Sequence, residues 1–180
     1  MKPRVQPVTA AFITAAALAI LGAPACTRYG DDRTDSVTPP PRATFAPLSG
    51  VLEAHCGTLD CHGSPARNLR IYGVHGLRAN GGTVTGGADT TEEDIDATYE
   101  SVVGVDPENL GAVFAQGGRD PERWLVTRKS RGSESHKGGV PLPSGSAGDR
   151  CLIAWLSGAE DGGACLEDVF GPEPRQGQTW

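Results

Sequence analysis

Acidic side chains outnumber basic ones 22 to 16 in this chain of 180 residues. A negative surface repels phosphate backbones, which excludes nucleic acid as a partner. Gly (25) and Pro (14) together supply 39 residues, so the chain is loop-rich and needs a cofactor or cross-links to hold its loops.

Residues 1–25 read as an export signal. Lys2 and Arg4 give a positive start, an apolar run spans Val8 to Gly22, and Ala23-Pro24-Ala25 precedes Cys26. That order suits secretion and cleavage. The apolar run is shorter than the roughly 20 residues a membrane span needs. The cut site resembles a bacterial lipobox, with Ala23 where Leu is usual. Cys26 would then carry a diacylglycerol and anchor the protein to a membrane; the alternative is a free or paired thiol. Either way the protein is expected outside the cytoplasm, in the periplasm or cell envelope. The leader holds two basic residues and no acidic ones, so the remaining 155 residues carry 14 basic against 22 acidic side chains, a net charge of −8. They suffice for one domain.

Residues 26–44 form a linker, ending in Thr38-Pro39-Pro40-Pro41, too poor in apolar residues to build a core. Phe45, Leu48, Val51, Leu52 and His55 recur at helical spacing and predict a short helix running into Cys56. Residues 63–90 read as an insertion. Asn68–Gly73 suits a short strand or an extended loop, and Asn80–Gly87 suits turns. Thr90 or Thr91 caps a helix that opens on Glu92, Glu93 and Asp94 and ends at Gly104. Asp120-Pro121-Glu122 gives a second helix start, with Pro at the first helical position. Asp149–Gly158 predicts the last helix, with Leu152, Trp155 and Leu156 on one face. Residues 161–180 read as a polar tail.

The segment Cys56-Gly57-Thr58-Leu59-Asp60-Cys61-His62 carries the chemistry. It is two residues longer than the C-x-x-C-H pattern that attaches a c-type haem. Two thiols can add to the two haem vinyl groups, and the following His becomes an axial iron ligand. Four intervening residues can loop out and keep both sulfurs on one edge of the porphyrin. Two other readings stand beside it. One is a Cys56–Cys61 disulfide. The other is a zinc site with His55 or His62, which would need further ligands. Cys151 and Cys165 are most simply a disulfide that tethers the tail.

The order of segments resembles the cytochrome c-like domains of exported bacterial proteins of myxobacterial and planctomycete type. It runs from a short helix through Cys56-x4-Cys61-His62-Gly63 and an insertion to Ser130-Arg131-Gly132 and His136-Lys137-Gly138-Gly139, and then to a helix with Trp155 and Gly158. The match covers about residues 45–159. It implies a mainly α cytochrome c-like domain over 45–160, with a Gly-rich loop or short-strand insertion. It also implies one covalent haem c and one-electron transfer, with Cys56 and Cys61 as tethers and His62 as proximal ligand. No Met follows the initiator, so the Met ligand typical of small cytochromes c is impossible. His55, His75 and His136 remain as candidates for the sixth position. His136 is preferred, because it lies in a Gly-rich loop before the last helix.

On this reading the partners are redox proteins and, through the lipid, a membrane; the acidic chain suits a basic redox partner or simply solubility. No enzymatic role is expected. Ser133 and Ser135 beside His136 lack any placed oxyanion element or carboxylate. Peroxidase-like chemistry at an open sixth position lacks a distal acid–base group. Trp124 and Trp155 are expected in the core. Arg128, Lys129 and Arg131 are expected as a solvated patch or as haem-propionate partners. The competing class is a cofactor-free lipoprotein domain, stapled by Cys56–Cys61 and Cys151–Cys165, with a structural or adaptor role.

Overall fold

Phe45, fully buried, is the centre from which the helices are arranged. The computed structural model describes residues 37–82, 88–159 and 162–171, so the expected leader over residues 1–25 and Cys26 lie outside the described residues. Phe45 packs on Tyr99 and Trp155, with ring centroids 5.4 and 5.2 Å away. Trp155 in turn meets Trp124. Both indoles satisfy their N–H groups on backbone carbonyls. Trp124 Nε1 donates to Val105 and Trp155 Nε1 donates to Pro41, which is what lets large amphipathic rings sit in a core. Trp124 and Trp155 are thus core residues, as their sequence context suggests.

Among the described residues six α-helices follow one another: α1 (Ala46–Cys56), α2 (Glu92–Val103), α3 (Pro107–Ala115), α4 (Leu125–Arg131), α5 (Ala147–Ser157) and α6 (Gly162–Phe170). The domain is mainly α, and no strand occurs among the described residues. α1 packs on α2, α5 and α6, while α3 packs on α5. The 3₁₀ turn Pro121–Arg123 leads into α4.

Local chemistry explains the boundaries. α2 begins with a full capping box: Thr91 Oγ1 accepts from the Asp94 amide, and the Asp94 carboxylate accepts from the Thr91 amide. Ser146 caps α5, and Gly158 ends it in a left-handed conformation. α3 starts at Asp106-Pro107-Glu108, the same residue pattern as Asp120-Pro121-Glu122. Both aspartates have positive φ, 54° and 50°. Asp tolerates this better than most residues because its short polar side chain can bond locally.

Two segments differ from expectation, and a third takes one of its two expected forms. The linker does not run free to residue 44. Pro40 is buried, Tyr99 donates its hydroxyl to the Pro40 carbonyl, and Arg42–Thr44 form a 3₁₀ turn. The stretch Asn68–Gly73, expected as a short strand or an extended loop, is a loop. Its regular pairing reduces to one isolated bridge between Tyr72 and Leu77, and α2 holds the loop instead, through side chains. Thr98 Oγ1 accepts from the Tyr72 amide, Asp94 from the Ala79 amide, and Thr90 from the Val74 amide. Finally, the expected polar tail forms α6 over Gly162–Phe170. The disulfide Cys151–Cys165 joins α6 to α5, and His55 pairs with Asp168 at 2.7 Å.

Candidate functional site

The turn after α1 is closed by its own backbone. The His62 amide donates to the Cys56 carbonyl and the Gly63 amide to Thr58, both at 2.9 Å. Thr58, Leu59 and Asp60 loop outward and are exposed. His62 is thereby brought back beside Cys56 despite the four residues between the cysteines. Glycine makes the closure possible. A Cβ on Gly63 or on Gly76 would run into the Gly57 carbonyl oxygen, so the turn and the insertion meet backbone on backbone.

Arg67 fastens the turn from outside. Its guanidinium donates to the Cys61 and Asp60 carbonyls, each at 3.0 Å. The Leu69 carbonyl accepts from Nδ1 of His62 at 3.0 Å. A carbonyl only accepts, so Nδ1 carries the proton and Nε2 keeps its lone pair. Burial lowers the pKa of His62. The Leu69 bond opposes that shift, while His136 and Arg67 add to it, and the net direction is downward. The ring is therefore neutral at neutral pH, the form that binds a metal.

His136 arrives from the other side. Its loop folds back on α4: the Glu134 amide donates to Arg128, and the Leu142 amide donates to Ser130. Leu142, buried, anchors the far end. Gly138 lies against the imidazole; a Cβ there would sit 2.8 Å from His136 Cε1. The result is two nearly parallel imidazoles, His62 and His136, with ring centres 5.9 Å apart and 8° between planes.

Both rings line a cavity of about 370 Å³. Leu52, Leu69, Ile71, Val105, Leu125 and Val126 supply much of its apolar wall, and Cys56, Lys129 and Ser130 lie on it too. Cys56 and Cys61 are free thiols and do not form a disulfide. Burial, helped by Cys61, pushes the Cys56 thiol up to about 12, so it is protonated at neutral pH. Nδ1 of His136 is buried without a hydrogen-bond partner, a cost that native interiors seldom carry.

The cavity brings together the His62 and His136 imidazoles, an apolar wall and the Cys56 thiol, residues that could hold a flat macrocycle; Cys61 is not among the lining residues. Zinc fits poorly: among the described residues no group of three or more His, Cys, Asp or Glu gathers as a metal set. A nucleophilic thiolate fits poorly as well, because Cys56 is held as the thiol.

The other sequence candidates lie elsewhere. His55 pairs with Asp168, and His75 is exposed on the insertion; neither lines the cavity. Trp155 does not line it either. Arg131 is committed to structure, with its guanidinium forked on Asp149 at 2.7 and 3.0 Å. Arg128 and Lys129 share Glu134. Lys129 alone of the three lines the cavity.

Sequence reading missed Arg67, the Leu69 carbonyl and the wall residues Val105 and Leu125. Val105 and Leu125 could have been suspected from the paired Asp106-Pro107 and Asp120-Pro121 starts, which bring two helices to one place. The Leu69 carbonyl is a backbone group and carries no side-chain signal. No known family, curated protein or solved structure matches this chain.

Proposed function

We propose that this chain is an exported monohaem c-type cytochrome that carries single electrons and has no catalytic residue of its own. One observation carries the reading: the imidazoles of His62 and His136 stand parallel across an apolar cavity, with centres 5.9 Å apart. His62 and His136 would hold the iron of a haem at this place. Cys56 on the cavity wall and Cys61 at the end of the same turn would be the thioether tethers. His62 would be the proximal ligand and His136 the distal one.

The group itself supplies a one-electron Fe(III)/Fe(II) couple when bound. The protein supplies the rest. The Leu69 carbonyl fixes the His62 tautomer and ring orientation. Arg67 holds the attachment turn closed. The Leu52, Ile71, Val105 and Val126 side chains line the cavity with apolar surface, and burial and ligand type would set the potential. Two imidazoles favour a lower potential than an imidazole and a thioether. Export and a lipid anchor on Cys26 belong to the same proposal, and rest on the leader sequence alone. Among the described residues no helix is long and apolar enough to cross a membrane. The cofactor-free alternative calls for a Cys56–Cys61 bridge, and both of these cysteines are free thiols here.

The test is a reduced-minus-oxidised absorbance spectrum of protein produced in a host that matures c-type haem. A sharp c-type α band whose chromophore stays with the protein through acid–acetone extraction is the expected result. A colourless protein would overturn the proposal.

A further inference from the structure

Among the described residues three carboxylate side chains are buried: Glu53, Asp94 and Asp149. Two of them meet an arginine. Asp94 pairs with Arg78, and Asp149 holds the forked guanidinium of Arg131. Glu53 is treated differently, for among the described residues no ion pair includes it. Its Oε2 accepts from the Thr90 hydroxyl at 2.6 Å, and that hydroxyl accepts from the Val74 amide at 3.2 Å. Its Oε1 is buried with no hydrogen-bond partner. Buried acids are seldom left unpaired, because taking a charge out of water is costly.

The carboxyl group is nevertheless closely fitted. A Cβ on Gly73 would run into it, so the insertion admits it only because residue 73 has no side chain. The helix fixes its place relative to the cavity. Leu52 and Cys56 of α1 line the cavity, and so does Ile71, two residues before Gly73. Glu53 follows Leu52 and precedes Cys56 by three residues, about 4.5 Å along the helix axis. It does not itself line the cavity. An acid without a counter-charge therefore stands in the layer behind the cavity wall.

On the haem reading, on which this inference rests, the iron would supply that counter-charge. Two neutral imidazoles add none, so the ferric form carries one positive charge more than the ferrous form. We propose that Glu53 sets the reduction potential electrostatically. It is a fixed negative charge that favours the oxidised form, and it lowers the potential beyond what the two imidazoles achieve. It acts through space, as a tuning residue rather than a catalytic one. The step it biases is the gain of one electron by Fe(III) to give Fe(II). The redox partner supplies the electron, or a mediated electrode does in the test. No bond forms or breaks, and no proton moves.

Spectroelectrochemical titration of the holoprotein at neutral pH tests the proposal. Glu53→Gln keeps the shape and still offers Thr90 an oxygen, but it has no charge. Its ferric-to-ferrous ratio at a given potential should fall about tenfold, an upward shift of about 59 mV in the midpoint. The low-spin spectrum should be unchanged. Thr90→Val removes the hydroxyl that holds the carboxylate but keeps the charge, and should not raise the midpoint. A merely structural role for Glu53 would move both variants the same way. Glu93→Gln removes an equal charge from an exposed position and should shift the midpoint less than a third as much. Raising salt from about 10 to about 500 mM should leave the Glu53→Gln shift in place, because buried charges are screened far less than exposed ones.

Denaturant unfolding gives a readout that does not depend on the iron. With an unpaired buried charge removed, Glu53→Gln should unfold at the same or a higher denaturant concentration. Glu53→Met, neutral and of similar length, replaces it if the amide packs poorly against Gly73, and should shift the midpoint potential the same way. A coloured, low-spin Glu53→Gln protein with the midpoint of the unmutated protein overturns the proposal and leaves the haem reading standing. Equal upward shifts in Glu53→Gln and Thr90→Val overturn it as well. A colourless unmutated protein sinks the haem reading and this proposal with it.

Discussion

Nδ1 of His62 lies 3.0 Å from the carbonyl oxygen of Leu69, seven residues further along the chain. That bond sets the tautomer, so the ring has one nitrogen left for other chemistry. The opposite ring has no comparable bond. His136 is held by packing on Gly138 and by the loop's attachments to α4. The two rings should therefore respond differently to mutation.

His136→Ala removes the group proposed for the sixth position without touching the attachment turn. Covalent haem should be retained, the ferric spectrum should change from low-spin to high-spin, and the ferrous protein should bind carbon monoxide where the unmutated protein does not. Gly138→Ala places a Cβ 2.8 Å from His136 Cε1 and should give a mixture of the two spin states. Identical low-spin spectra for all three proteins would show that His136 is not a ligand.

Gly63 tests the turn itself. Its missing side chain lets the backbone lie against Gly57, where a Cβ would collide with the carbonyl oxygen. The clash is with backbone, which cannot swing aside. Gly63→Ala should cost about 3 kcal/mol, the upper end of overpacking, and should lower the yield of covalent haem. Denaturant unfolding together with haem content would show whether both fall.

These positions also show what the sequence could reveal. The helix into Cys56, the Thr91 cap, the Gly158 stop and the Cys151–Cys165 bridge were legible because each depends on residues near one another in the chain. The pairing of His62 with His136 was reachable by elimination among four histidines. The insertion was not legible. Its form is set by Thr90, just before a later helix, and by Asp94 and Thr98 within it, and residues 68–73 read locally as either a short strand or an extended loop. α6 was missed because Gly162-Gly163 is a poor helix start. Tertiary ties to α1 and α5, through Asp168 and Cys165, accompany its formation.

The bridge from α5 to α6 should contribute up to about 3 kcal/mol, by restricting the unfolded chain across a fourteen-residue step. Replacing both Cys151 and Cys165 by Ser should lower the denaturation midpoint by a corresponding amount. Because α6 lies outside the cavity wall, the haem spectrum of the folded variant should be unchanged. A spectral shift would mean that α6 reaches the site through α1.

Asp94 gives a prediction with a sign. Burial alone would raise its pKa. The Ala79 and Thr91 amides, the Thr91 hydroxyl and the Arg78 guanidinium outweigh burial and hold the carboxylate below its ordinary value. The folded pKa is thus lower than the unfolded one, near 3.8. The linked stabilisation is fully present above the unfolded value and is lost as pH falls through the folded one. Stability should be flat from neutral pH down to about 5 as far as this group is concerned, then decline below about 4. Asp94→Asn should remove that part of the acid sensitivity. It should also cost about 3 kcal/mol at neutral pH, because Arg78 would be left buried without its counter-charge. Unfolding midpoints of both proteins between about pH 3 and 7 would decide the matter. Parallel curves would mean that Asp94 is not the group whose protonation loosens the insertion.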